Sequence, residues 1–126
     1  MRARSLLFIP ASKPALVAKA HLRAADIVIL DLEDGVAQDE KASARHNLAA
    51  SIATLQSHAL TVWLRINPLT HGGYDDLAAL KESTNLSLML AKTETQQDIK
   101  ALEAALDRDR PLIALIRSGE RRVGKE

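Results

Sequence analysis

No cysteine occurs among the 126 residues, which excludes disulfides, thiolate metal sites and a cysteine nucleophile. Aromatic residues are nearly as scarce, Phe8, Trp63 and Tyr74 being the single copies of their kinds. None of them interleaves with a run of Lys or Arg, and a formal charge of only +1 is spread along the chain, so nucleic-acid binding has no support. Long hydrophobic runs are also missing. Leu6-Leu7-Phe8-Ile9 is far too short to span a membrane. It follows Arg2 and Arg4, as the apolar segment of a signal peptide would, but Pro10, Ser12 and Lys13 end it too early. The expectation is a soluble, cytoplasmic protein with no nucleic-acid or membrane partner. No GxGxxG, P-loop or nucleophile elbow is present, and His21, His46, His58 and His71 show no ligand spacing.

What the chain has instead is Ala, Leu, Ile and Val, which make up most of its 47% apolar content. Short apolar runs alternate with longer stretches of helical period. Ser5–Ile9 reads as a first strand. Ser12 is placed to cap a helix with Pro14 in its first turn, where a missing N–H costs nothing, and Leu16, Val17, Ala20 and Ala24 form its stripe. Ile27–Leu32 is a strongly β-branched strand whose continuous hydrophobicity suits burial on both faces. Asp39 is placed to cap a helix carrying Ala44, Leu48, Ile52 and Leu55. Thr61–Ile66 follows as a third strand, closed by Asn67-Pro68, with a His71-Gly72-Gly73 loop and a short helix over Tyr74–Leu80. Leu86–Leu90 is a weaker fourth strand. Thr95 and Asp98 open a helix with Ile99, Leu102 and Leu106 on one face, and Leu112–Ile116 is a fifth strand.

Such β-α alternation predicts a parallel sheet with helices outside it, either an open doubly wound sheet or a barrel cut near its middle. Periodicity does not choose between them. The last ten residues, 117–126, change character: six are charged and no apolar stripe continues the pattern. They read as a solvated tail, with a frame error or an artificial end as the other readings.

In parallel α/β proteins ligands bind beyond the C-terminal ends of the strands. Strand two ends in Asp31-Leu32-Glu33-Asp34, and alternation puts Asp31 and Glu33 on one side. Buried carboxylates at this density need a cation or donors; otherwise they cap the next helix or form surface ion pairs. Strand three ends in Arg65-Ile66-Asn67-Pro68, with Arg65 on the side of Trp63 and Asn67. A guanidinium there suits a carboxylate or a developing enolate, and a structural salt bridge with the strand-two acids is compatible with that role. Lys13 and Lys19 flank the start of the first helix, where a phosphate would fit. Each alone reads more simply as a surface charge, as does Lys92 after strand four.

These segments, taken in order, resemble one known family. They are Arg4-Ser5-Leu6-Leu7-Phe8-Ile9-Pro10, Lys13-Pro14, Lys19-Ala20, Ala25-Asp26, Ile29-Leu30-Asp31-Leu32-Glu33-Asp34-Gly35-Val36-Ala37, Lys41, Ala44-Arg45 and Leu64-Arg65-Ile66-Asn67-Pro68. Together they resemble the citrate lyase β-subunit and malyl-CoA lyase family, within the HpcH/HpaI aldolases, from about Arg4 to Ile116. Ala91-Lys92-Thr93-Glu94 is similar to the family's Pro-Lys-x-Glu, with Ala91 in place of the proline.

The resemblance implies the N-terminal portion of a TIM (β/α)8 barrel: about five parallel strands with intervening helices over 4–116, where a complete barrel needs about 250 residues. It implies Mg²⁺, a CoA-thioester substrate such as a citryl, malyl or citramalyl thioester, and reversible C–C cleavage. It also implies a homo-oligomer or the subunits of a lyase complex. By this analogy Arg65 holds the substrate and stabilises the thioester enolate. Phe8, Lys13 and Lys19 line the CoA path, Lys13 standing where the family more often has Arg. Glu33 and Asp34 hold metal-bound water or order the site. The family's metal-binding Glu after the fifth strand is replaced by Arg117, and its second ligand, an Asp, would fall beyond Glu126. No direct metal ligand is therefore expected in this chain, and weak Mg²⁺ binding with little or no turnover is expected of it. The other functional readings are a non-catalytic half-barrel that pairs with itself or another chain, and a related barrel aldolase acting on free oxo-acids.

Overall fold

The computed structural model describes residues 5–80, 86–90, 100 and 115–117. Five strands, β1 (Leu6–Pro10), β2 (Ile27–Asp31), β3 (Thr61–Ile66), β4 (Ser87–Leu90) and β5 (Leu115–Arg117), form one sheet. They lie in sequence order and every neighbouring pair is parallel. That order decides between the two architectures left open by the sequence. A doubly wound sheet reverses direction at a switch point, whereas here each crossover advances by one strand to the same side, as in a barrel wall.

Helices among the described residues include α1 (Pro14–Lys19), α2 (Lys41–His46), α3 (Leu48–Ser57) and α4 (Gly73–Leu80), and Lys100 is helical as well. The strands send alternate side chains to them: Val28, Leu30, Val62, Leu64, Ile66 and Leu88 join Val17, Ala20, Ala44, Leu48, Ile52, Leu55 and Leu80 in one core cluster. The other face of the sheet carries a smaller cluster of Ile27, Ile29 and Met89, packed by Trp63. β2 is buried at all five positions because it has neighbours on both sides and packing on both faces. Its neighbour β1 leaves Leu6 and Phe8 about half exposed on the second face.

Several expectations are corrected. The first strand starts at Leu6 because the Ser5 amide donates to Asp26 Oδ2 (2.9 Å) instead of entering the ladder. Ser12 does not cap α1: Lys13 occupies the N-cap position, one residue later, and Ser12 Oγ is buried without a hydrogen-bond partner among the described residues. The stripe on that helix is short, since Leu16 is exposed and Ala24 takes a left-handed conformation that ends the 3₁₀ turn Ala20–Arg23. Asp39 does not cap the second helix either, because a 3₁₀ turn over Gln38–Glu40 precedes α2 and contains it. The stripe Ala44, Leu48, Ile52 and Leu55 is buried throughout, although Asn47 divides its helix into α2 and α3. Lys92, Thr95 and Asp98 lie outside the described residues. Of the fifth strand, Leu115–Arg117 is described, so that it runs one residue past the expected Ile116, and residues 112–114 lie outside the described residues.

Candidate active site at the ends of strands two and three

Parallel pairing sets Asp31 beside Arg65 across the β2–β3 ladder, at the C-terminal edge of the second face. The two side chains meet in a two-point contact: Arg65 Nε donates to Asp31 Oδ1 (2.9 Å) and Nη2 to Oδ2 (2.7 Å). Asp31 accepts two further bonds, from the amides of Glu33 and Gly35, each at 2.9 Å. A Cβ on Gly35 would stand 2.9 Å from Asp31 Oδ2, so a side chain there would push the carboxylate from its place. Burial by itself raises the Asp31 carboxyl pKa. The Arg65 hydrogen bonds, the two amides and the Arg65 charge together outweigh it and hold the group below its ordinary value. For Arg65 the hydrogen bond to Asp31 leads, against a smaller opposing effect of burial, and with the charges of Asp31, Glu33 and Asp34 it raises the guanidinium further above its ordinary value.

Phe8, from β1, completes the cradle: the Arg65 guanidinium carbon lies 5.0 Å from its ring centroid, a cation–π distance. Glu33 Oε1 is 3.8 Å from Arg65 Nε. Asp31 takes one edge of the guanidinium, the Nε–Nη2 edge, and the remaining edge, Nη1 with the second Nη2 hydrogen, makes no hydrogen bond among the described residues. The Arg65 side chain is 18% exposed. The guanidinium is thus fixed by Asp31 on one edge and faced by the Phe8 ring, with its second edge making no hydrogen bond among the described residues.

Of the residues singled out in the sequence, the structure brings Phe8, Glu33 and Arg65 together with Asp31. Asp34 is exposed and reaches Arg65 through its charge. Lys13 and Lys19 are exposed on and beside α1 and take no part in this cluster among the described residues. Asn67 departs from the alternation rule. β3 ends at Ile66, and Asn67 turns to the helix layer, where its Nδ2 donates to the Leu32 carbonyl (2.9 Å) and Asp76 Oδ2 (2.7 Å).

A buried polar network lies behind the site. Lys41 Nζ donates to the Leu32 carbonyl (2.8 Å), the Glu33 carbonyl (2.9 Å) and Asn67 Oδ1 (3.0 Å). Asp76, fully buried, accepts from the Asn67 amide (2.8 Å) and from Arg45 Nε (2.7 Å). The spacing of Lys41 and Arg45, four apart on one helix face, was the available signal. Both read equally well as solvated charges until the carboxylate and carbonyls facing them are known.

A singly wound parallel sheet with a guanidinium–carboxylate pair at its strand ends defines a sector of an α/β barrel. The model of the HpcH/HpaI aldolase/citrate lyase family matches residues 4–113, and the chain belongs to that family. It is 38% identical over 119 residues to a (3S)-malyl-CoA thioesterase of Cereibacter sphaeroides, covering 93% of this chain and 41% of the relative. An L-malyl-CoA/β-methylmalyl-CoA lyase of the same species is 42% identical over 105 residues, covering 80% and 33%. A citrate lyase β-subunit from Mycobacterium tuberculosis, solved with oxaloacetate and magnesium, superposes with a TM-score of 0.61 at 35% identity, covering 91% of this chain and 48% of that one. The fold is thus the N-terminal portion of a family barrel, and the chain spans less than half the length of these relatives.

The described carboxylates do not suit the magnesium seen in that relative. Asp31 is fully engaged by Arg65 and two amides, Glu33 Oε1 leans toward a guanidinium, and no group of three His, Asp or Glu that could hold a metal occurs among the described residues. The last residue of β5 is the cationic type Arg117, where the resemblance calls for a metal-binding Glu.

Proposed function

We propose that Arg65 is the anion-stabilising group of a carbon–carbon lyase that cleaves, or forms, a hydroxyacyl-CoA thioester. The observation that carries this reading is the two-point Asp31–Arg65 lock, which leaves the second guanidinium edge without a hydrogen bond among the described residues. In such a cleavage a base removes the proton of the β-hydroxyl, the C–C bond breaks to give an oxo-acid, and its electron pair moves onto the thioester as an enolate that is then protonated. Arg65 donates to the oxygen on which that charge develops. Because Asp31 and Phe8 fix the guanidinium beforehand, little reorganisation is needed when the charge appears. The lysines Lys13 and Lys19, exposed beside α1, are assigned to the phosphates of CoA.

The thioesterase relative favours a second reading, in which water attacks the thioester carbonyl and the same Arg65 steadies the tetrahedral oxyanion. Product analysis separates the two. With malyl-CoA the lyase reading expects acetyl-CoA and glyoxylate, whereas hydrolysis yields free CoA and malate. Free CoA as the sole thiol product would overturn the lyase reading. The half-exposed Leu6 and Phe8 on the second face favour a third reading, a non-catalytic half-barrel that associates with another chain. Sedimentation of the purified protein, alongside the product assay, tests it: a monomer that turns over substrate contradicts it.

A further inference from the structure

Lys41 is 9% exposed, and the three hydrogens of its ammonium are matched by three acceptors: the carbonyls of Leu32 and Glu33 and Oδ1 of Asn67. Such a lysine has no donor left for a ligand, so its role lies in what it holds. The Leu32 carbonyl and the Glu33 amide belong to one planar trans peptide, in which C=O and N–H point in opposite directions. Lys41 Nζ and Asn67 Nδ2 both take the oxygen of that plane on the helix side. Its N–H is thereby turned to the other side of the strand end, where it meets Asp31 Oδ1. The Glu33 carbonyl, also held by Lys41, fixes the next peptide, and Gly35 N–H then reaches Asp31 Oδ2.

We propose that Lys41 and Asn67 are positioning residues for Arg65, acting through the Leu32–Glu33 peptide, whose N–H is aimed at Asp31, and through the Glu33–Asp34 peptide, which leads the chain to the Gly35 amide on the same carboxylate. Asp76 and Arg45 extend the same relay. Asp76 grips Asn67 through its amide and Nδ2, and Arg45 grips Asp76 from α2. The loop after β2 and the loop after β3 are thus fastened to the same helix pair, and the guanidinium is set by both.

The inference rests on Arg65 being the anion-holding group, but its test does not require turnover. Nitrogen-15 NMR of the full chain reads the Arg65 Nε–H directly. In Lys41→Met and in Asn67→Ala, that proton is expected to exchange with solvent at least about tenfold faster than in the unsubstituted protein, with the Glu33 and Gly35 amides losing protection in parallel. Asn67→Ala changes no charge, so acceleration there does not come from removing the ammonium. Leu48→Ala, a buried truncation in α3 away from the network, serves as the comparison for general loosening. Loss of melting temperature in Asn67→Ala with Arg65 exchange no faster than in Leu48→Ala would overturn the proposal. Should both network variants fail to fold, the unsubstituted protein still decides. A Glu33 amide that exchanges as fast as an open loop amide contradicts the relay, and strong protection supports it. A protein with a protected Arg65 and no lyase products would fail the functional reading and leave the positioning role standing.

Discussion

Asp31 has one amide or guanidinium donor for each of its four principal acceptor directions, and this decides how the protein responds to acid. A carboxyl held below its ordinary value of 3.8 contributes stability that is fully present above that value and is lost as pH falls through the lower folded value. Acid titration followed by circular dichroism should therefore show an unfolding limb below pH 3.8 that Asp31→Asn flattens, while lowering stability at neutral pH. Breaking such a buried pair costs about 3–5 kcal/mol. Two glycines give a second test at this scale. A Cβ on Gly35 meets a side-chain oxygen of Asp31, whereas one on Gly73 falls on the backbone carbonyl of Asn67, which has no rotamer to change. In urea denaturation Gly35→Ala should cost about 1–3 kcal/mol and Gly73→Ala more than Gly35→Ala. Equal and negligible losses would contradict the packing around both loops. The place of Arg65 at a strand end beside the strand-two carboxylates was legible in the sequence. Lys41, Asn67 and Asp76 were not, because their partners are backbone carbonyls and each other, brought together only by the fold.

At the scale of elements, period-two and helical patterns located the strands β2 and β3 and the buried stripe of α2 and α3 closely. These segments bury apolar side chains at every step of their repeat, so their hydrophobic pattern is unambiguous. Caps were less legible. Ser12 and Asp39 have side chains suited to an N-cap, but where a helix begins depends on the turn before it. Here Pro14 fixes the first turn of α1 and a 3₁₀ turn displaces the start of α2. The alternation rule likewise stopped at Ile66, where β3 ends, and Asn67 took the opposite side. The packing of α3 gives a direct prediction. Leu48→Ala, at a fully buried position, should lower stability by about 2–5 kcal/mol in thermal or denaturant unfolding. Leu22→Ala, 70% exposed beyond α1, should change it by no more than about 0.5 kcal/mol.

For the whole molecule, the sequence could not separate a doubly wound sheet from a barrel sector, because both use the same β-α repeat. Strand order separates them, and it is set by how crossovers pack rather than by any local residue pattern. The family, by contrast, was legible in the order and spacing of short motifs, above all Leu30-Asp31-Leu32-Glu33-Asp34 with Arg65-Ile66-Asn67-Pro68. The architecture gathers the candidate site at one edge, where β1 contributes Phe8, β2 Asp31 and β3 Arg65. The measurement that bears most directly on this account is a comparison of turnover and CoA affinity in Arg65→Ala, made in a protein that carries the complete barrel. Turnover of the hydroxyacyl-CoA substrate should fall by about 10²–10³-fold, as for loss of a donor to a developing oxyanion, with CoA affinity nearly unchanged. Equal loss of turnover and affinity would show that Arg65 only binds the ligand, and would contradict its assignment to the enolate.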